Sequence, residues 1–190
     1  DGLEGFAVRP MTDELGSGAG PTGGIRAGQP LVAEFDSEFA RLLPETHAVL
    51  QEANLTLHLA VCRAVLHGSR GLLGGGRSTS DLDLSLVVDV DPGRGGLGAE
   101  LSAIAEVTIG GWRSEVDLDL AVVWDKRRCG LSCFDVREWT PGVCRRWRAG
   151  CFGVYKPRGG MRGIVPEEAV GVRRMYPCLT VWRRGATGRG

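Results

Sequence analysis

The segment "LHGSRGLLGGGRSTSDLDLSLVVD", residues 66–89, sets two aspartates two positions apart in an otherwise apolar run, directly after a glycine-rich loop. From residue 81, "DLDLSLVVDV" alternates leucine with polar residues and then continues in valine. That is the pattern of a strand with at least one well-covered face. Upstream, "LAVCRAVLHGS" (59–69) reads as another strand, bounded by Gly68. Downstream, Pro92 and the glycines of "DPGRGGLG" (91–98) mark a turn. "AELSAIAEV" (99–107) has the composition of a short crossover helix, and "EVDLDLAVVW" (115–124) repeats the alternation of a strand. Strands separated by a short helix predict an α/β fold with a mixed β-sheet packed against helices.

Further out, the pattern is weaker. Residues 1–30 include "GSGAGPTGG", with almost nothing to bury, and are expected to form a flexible Gly-rich tail. Phe35, Phe39, Leu42 and Leu43 recur at helical spacing from Leu31, and Pro44 is expected to interrupt them. A second helix is expected from Glu45 to about Leu57, with Val49, Leu50, Ala53 and Leu57 on one side. After Trp124 no long period is visible. The expected organisation is a core over 31–137 and a short basic C-terminal extension over 138–190. Trp139, Trp147 and Trp182 of the basic region are expected to anchor it.

The net charge of zero hides a segregation. Residues 1–125 carry 8 Lys+Arg against 19 Asp+Glu, and residues 126–190 carry 15 against 4. A basic half of this kind suits a polyanionic partner, or folds back to neutralise the acidic half. No apolar run approaches the roughly 20 residues of a membrane span, so no membrane partner is expected. The chain opens at Asp1 without a basic-then-apolar leader, and no signal peptide is expected. The six cysteines are accordingly read as reduced thiols of a cytoplasmic protein. "CGLSC" (129–133) has the spacing of half a zinc site, but no histidine lies beyond His67 and no second cysteine pair completes it.

On a strand, positions i and i+2 share a face, about 6.5–7 Å apart. Asp81 and Asp83 therefore project together, as do Asp117 and Asp119 on the later strand. Clustered carboxylates repel one another and call for a positive partner among them. A hard divalent cation such as Mg²⁺ suits that need, because it takes oxygen ligands and is completed by substrate phosphates. A glycine at 68 lets backbone N–H groups approach a phosphate, and the Ser69 hydroxyl is a further donor. Arg70 and Arg77, in and after the loop, are candidate phosphate contacts. His67 and Asp89 are read as structural, Asp89 as a turn cap.

These residues carry a resemblance. "GSRGLLGGGRSTSDLDL" followed by "EVDLDL" resembles the signature of the DNA polymerase beta-like nucleotidyltransferase superfamily: Gly-Ser, a loop, Asp-x-Asp, then a third acidic residue on a later strand. It covers roughly residues 58–125. The resemblance implies a nucleotidyltransferase fold. It also implies transfer of a nucleoside monophosphate from a nucleoside triphosphate, ATP among them, to a hydroxyl acceptor, with release of pyrophosphate. Asp81, Asp83 and Asp119 would be catalytic and would hold two Mg²⁺ or Mn²⁺ ions, with Asp117 as the alternative third ligand. Gly68, Ser69, Arg70 and Arg77 would contact the nucleotide. The acceptor is left open among nucleotide, RNA and protein, with the basic segment favouring an anionic one. The main alternative is a nucleotide- or RNA-binding regulator that keeps the fold without turnover.

Overall fold

The computed structural model describes residues 24–31, 43–131, 134, 150–169 and 177–185. It is mixed α/β, built on a six-stranded sheet in the order β7-β6-β5-β4-β3-β8. The central strands are β3 (Val61–Leu66), β4 (Leu82–Val88) and β5 (Leu118–Asp125). Flanking them are β6 (Phe152–Lys156), β7 (Gly163–Ile164) and β8 (Leu179–Arg183). Only β4 and β5 run parallel; every other neighbouring pair in the sheet is antiparallel. A parallel pair needs a crossover. Helix α2 (Leu97–Gly111) supplies it, burying Leu101, Ile104, Ala105 and Thr108. It extends further in both directions than the 99–107 expected, taking in Gly110 and Gly111 before Trp112 ends it.

Helix α1 (Pro44–Ala53) begins at the proline expected to interrupt the pattern before it, one residue ahead of the expected Glu45. A proline in the first turn gives up an N–H that has no intrahelical acceptor anyway. The helix stops at Asn54, which takes a left-handed conformation with φ of 52°. This is short of Leu57, because Leu57–His58 form strand β2 and pair antiparallel with β1 (Ile25–Arg26). The end of the expected tail is thus a strand. Of the helix expected from Leu31, residues 32–42 lie outside the described residues.

Alternation sorts the sheet's side chains onto two faces. Leu82, Leu84, Leu86 and Val88 of β4 and Leu120, Val122 and Trp124 of β5 pack with the helices in the larger core. Val65, Val87, Ala121, Val123, Phe152 and Val154 belong to a smaller cluster with Leu131, Phe134, Val165 and Cys178. Arg63 is buried beside it and donates to the carbonyls of Gly130 and Leu131 at 3.0 and 2.8 Å.

The residues read as an extension supply three of the six strands, β6, β7 and β8. β6 and β8 pair with β5 and β3 of the central sheet. "FGVYK" and "LTVWR" are short and interrupted by glycine, threonine and charge, so neither gave a period long enough to read. Gly153 is needed where it stands: a Cβ there would collide with the Trp124 indole across the β5–β6 pair. Trp124 and Trp182 are both buried, whereas Trp139 and Trp147 lie outside the described residues. Ion pairs join the acidic and basic halves, among them Lys156–Asp119 at 2.6 Å and Arg184–Asp89 at 3.8 Å. No helix among the described residues is long and apolar enough to cross a membrane.

Candidate metal centre

Register builds the site. In the parallel β4–β5 pair, Asp83 stands directly opposite Asp119. Both project to the face opposite the helices, since Leu82, Leu84, Leu118 and Leu120 take the helix side. Asp81 precedes β4 by one residue, and the backbone N–H of Leu82 donates to the Asp117 carbonyl at 2.8 Å, holding the two strand entrances together. Oxygens of Asp81, Asp83 and Asp119 lie within 4.8 Å of one another. Asp117 is not in this group. Its side chain is exposed at the mouth of β5, so the carboxylate that converges with the first pair is that of Asp119.

The cluster is electrostatically unfavourable as it stands. Burial first, then the neighbouring Asp81 and Asp119, push the Asp83 carboxyl above its ordinary range; Lys156 acts the other way. The Lys156 ammonium donates to Asp119 Oδ1 at 2.6 Å. The donor set fits a hard divalent ion such as Mg²⁺ or Mn²⁺: three convergent carboxylates on or beside the parallel strand pair, one of them raised first by burial and then by its acidic neighbours.

The loop between β3 and β4 closes the other side. Gly68 has φ of +67°, and a Cβ there would overlap Asp83 Oδ2. Glycine is therefore required both by the backbone and by the carboxylate packed against it. The His67 N–H donates to the Asp83 carbonyl at 2.9 Å, which carries the pairing one residue past β3. Ser69 is partly exposed beside the carboxylates' loop, and its carbonyl accepts from Gly76 N–H at 3.1 Å.

Arg70 turns inward. It is buried, and its guanidinium donates to the carbonyls of Ser80, Ser78 and Arg77 at 2.6, 2.9 and 3.2 Å. Its own carbonyl accepts from the Thr46 hydroxyl of α1 at 2.7 Å. Arg70 thus shapes the loop that leads into Asp81, and its donors are engaged by that loop. Arg77 is exposed, and its N–H is capped by Ser80 Oγ at 2.9 Å. His67 is buried and meets Phe134 edge-to-face, with centroids 6.4 Å apart.

On the β5–β6 side the carboxylates open onto a cleft of about 420 Å³, lined by Asp81, Asp117, Leu118, Asp119, Lys156, Arg158, Gly159, Gly160 and Met161. Lys156 and Arg158 escaped the sequence reading. The available signal was the run "VYKPRGG", a basic end to a short apolar alternation, which looked no different from the rest of the basic segment.

The fold and this site define the chain only as a mixed α/β protein with a convergent acidic triad. Comparison with family models, with curated proteins and with solved structures gives no match for it.

Proposed function

We propose that the chain is a metal-dependent nucleotidyltransferase that moves a nucleoside monophosphate from a nucleoside triphosphate to a hydroxyl acceptor, releasing pyrophosphate. The observation that carries this reading is the convergence of Asp81, Asp83 and Asp119 within 4.8 Å, from two parallel strands, beside the Gly68–Ser69 turn. Two divalent ions bound there would supply charge neutralisation for the attacking and leaving oxygens of an in-line displacement. Asp81, Asp83 and Asp119 would hold them. Asp119, which lines the cleft, would accept the proton of the attacking hydroxyl. Gly68 brings the backbone close to the carboxylates without a side chain in the way, and Ser69 offers a hydroxyl to a phosphate there. Arg70 fixes the loop, and the exposed Arg77 is available to the nucleotide. On this reading the mixed α/β fold would be a nucleotidyltransferase fold, and the protein would be cytoplasmic with its cysteines reduced.

The test is pyrophosphate release from each of the four ribonucleoside triphosphates with Mg²⁺ or Mn²⁺ and cell extract, on wild type and Asp81→Asn. Metal-dependent release lost in the variant supports the reading; none from any triphosphate refutes turnover. One observation favours the second reading, a silent nucleotide- or RNA-binding regulator: Lys156 places a protein cation on the third carboxylate. That reading requires triphosphate binding with no pyrophosphate release.

A further inference from the structure

The triad has two unlike flanks, and the proposed function uses only one. Toward β3 lies the Gly68–Ser69 turn, which that reading gives to the triphosphate. Toward β6 lies the cleft, with the acidic edge of β5 on one wall and the β6–β7 connection, residues 157–162, on the other. The second wall is basic and glycine-rich. Lys156 stands at its base, already shared with Asp119. Arg158 is exposed and has no hydrogen-bond acceptor among the described residues. Gly159, with φ of +95°, and Gly160 have nothing within 4 Å of where a Cβ would sit, so their backbone is open to a ligand. Met161 is 52% exposed and, with Leu118, gives the cleft an apolar surface.

We propose that this cleft seats the acceptor, and that the acceptor is a nucleotide whose phosphate lies against Arg158 and Lys156 and whose base rests on Met161. The inference rests on the nucleotidyltransferase reading and names its second substrate. Three carboxylates repel any anion brought beside them, so an anionic acceptor needs a cationic wall on its own side. A guanidinium suits a phosphate because its planar fork donates two parallel bonds. A thioether offers a polarizable, adaptable surface to a flat ring. A hydroxyl on the sugar between phosphate and base would then face Asp119, the triad carboxylate of β5 that lines the cleft.

The experiment is calorimetric binding of adenosine, AMP and the dinucleotide ApA to the full chain with Mg²⁺ present and no triphosphate. The variants are Arg158→Gln and Met161→Ala, both exposed and outside the packed core. AMP or ApA should bind at least tenfold more tightly than adenosine. Arg158→Gln should abolish that preference while leaving adenosine unchanged, and Met161→Ala should weaken all three together. A stronger response to ApA assigns the phosphate to a chain end, and a stronger response to AMP to a free nucleotide. Equal binding of adenosine and AMP, or a preference that survives Arg158→Gln, overturns the proposal. Because no turnover is read, that result is separate from a failure of pyrophosphate release.

Discussion

Asp83→Asn should make the metal-free protein more stable at neutral pH. The substitution keeps the shape and removes one charge from a set whose oxygens lie within 4.8 Å of one another. Two unit charges at that distance repel by about 1 kcal/mol in water, and about 3.5 kcal/mol at an effective dielectric constant of roughly 20. Asp83 faces two such neighbours, Asp81 and Asp119, and Lys156 offsets part of the repulsion. A net gain of about 1–2 kcal/mol is expected, or roughly 2–8 °C in Tm for a chain of this size. The sign follows from linkage. The folded carboxyl is raised above its unfolded value, so wild type binds more protons folded than unfolded, and its stability falls as pH climbs through that interval. The advantage of the variant should be complete near pH 7 and vanish below about pH 3.9, where both states are protonated. Saturating Mg²⁺ should reverse the order: at 100 times Kd a bound ion adds about 2.7 kcal/mol to wild type and little to Asp83→Asn. The assay is thermal unfolding across pH with EDTA or Mg²⁺. A variant less stable than wild type in EDTA at pH 7, or an equal Mg²⁺ shift in both proteins, would refute the account.

Other substitutions probe the supports of the site. Gly68→Ala adds a Cβ against Asp83 Oδ2 in a left-handed conformation and should cost about 1–3 kcal/mol in denaturant unfolding; an unchanged midpoint would mean that the turn moves freely. Arg70→Met leaves three loop carbonyls without their donor. It should cost on the order of 3 kcal/mol and speed amide exchange of Gly76 and Ser80; unchanged exchange would show that the loop holds itself. Gly153→Ala pushes into the Trp124 ring and should cost about 1–3 kcal/mol, with a shift in tryptophan emission; native emission and stability would contradict the packing.

The central part of the fold was legible because its signals are local. The leucine–valine alternation of β4 and β5 gives strand and face at once, and i, i+2 spacing puts Asp81 and Asp83 on one side. The partner across the pair, Asp119, came only through the resemblance, because it faces Asp83 through strand register, which two separate segments do not encode on their own. Asp117 and Asp119 were equivalent by spacing, and in the structure the β4–β5 register separates them by setting Asp119 opposite Asp83. Arg70 shows a similar limit: a loop arginine beside a Gly-Ser turn suggests a phosphate contact, and its bonds to carbonyls seven to ten residues ahead leave no periodic trace in the sequence. The strands beyond residue 150 were hidden by brevity, since five residues broken by glycine or threonine carry little periodic signal.

The strand order has a consequence for biosynthesis. β3, β4 and β5 leave the ribosome before their outer neighbours β6 and β8. A nascent chain that has delivered all three aspartates still shows two bare sheet edges, and it lacks the lysine that partly neutralises them. Such edges invite pairing with other chains until they are covered. The central sheet therefore cannot be completed until residues 152–183 have been made, and a chaperone that shields the waiting strands should raise the yield of native protein.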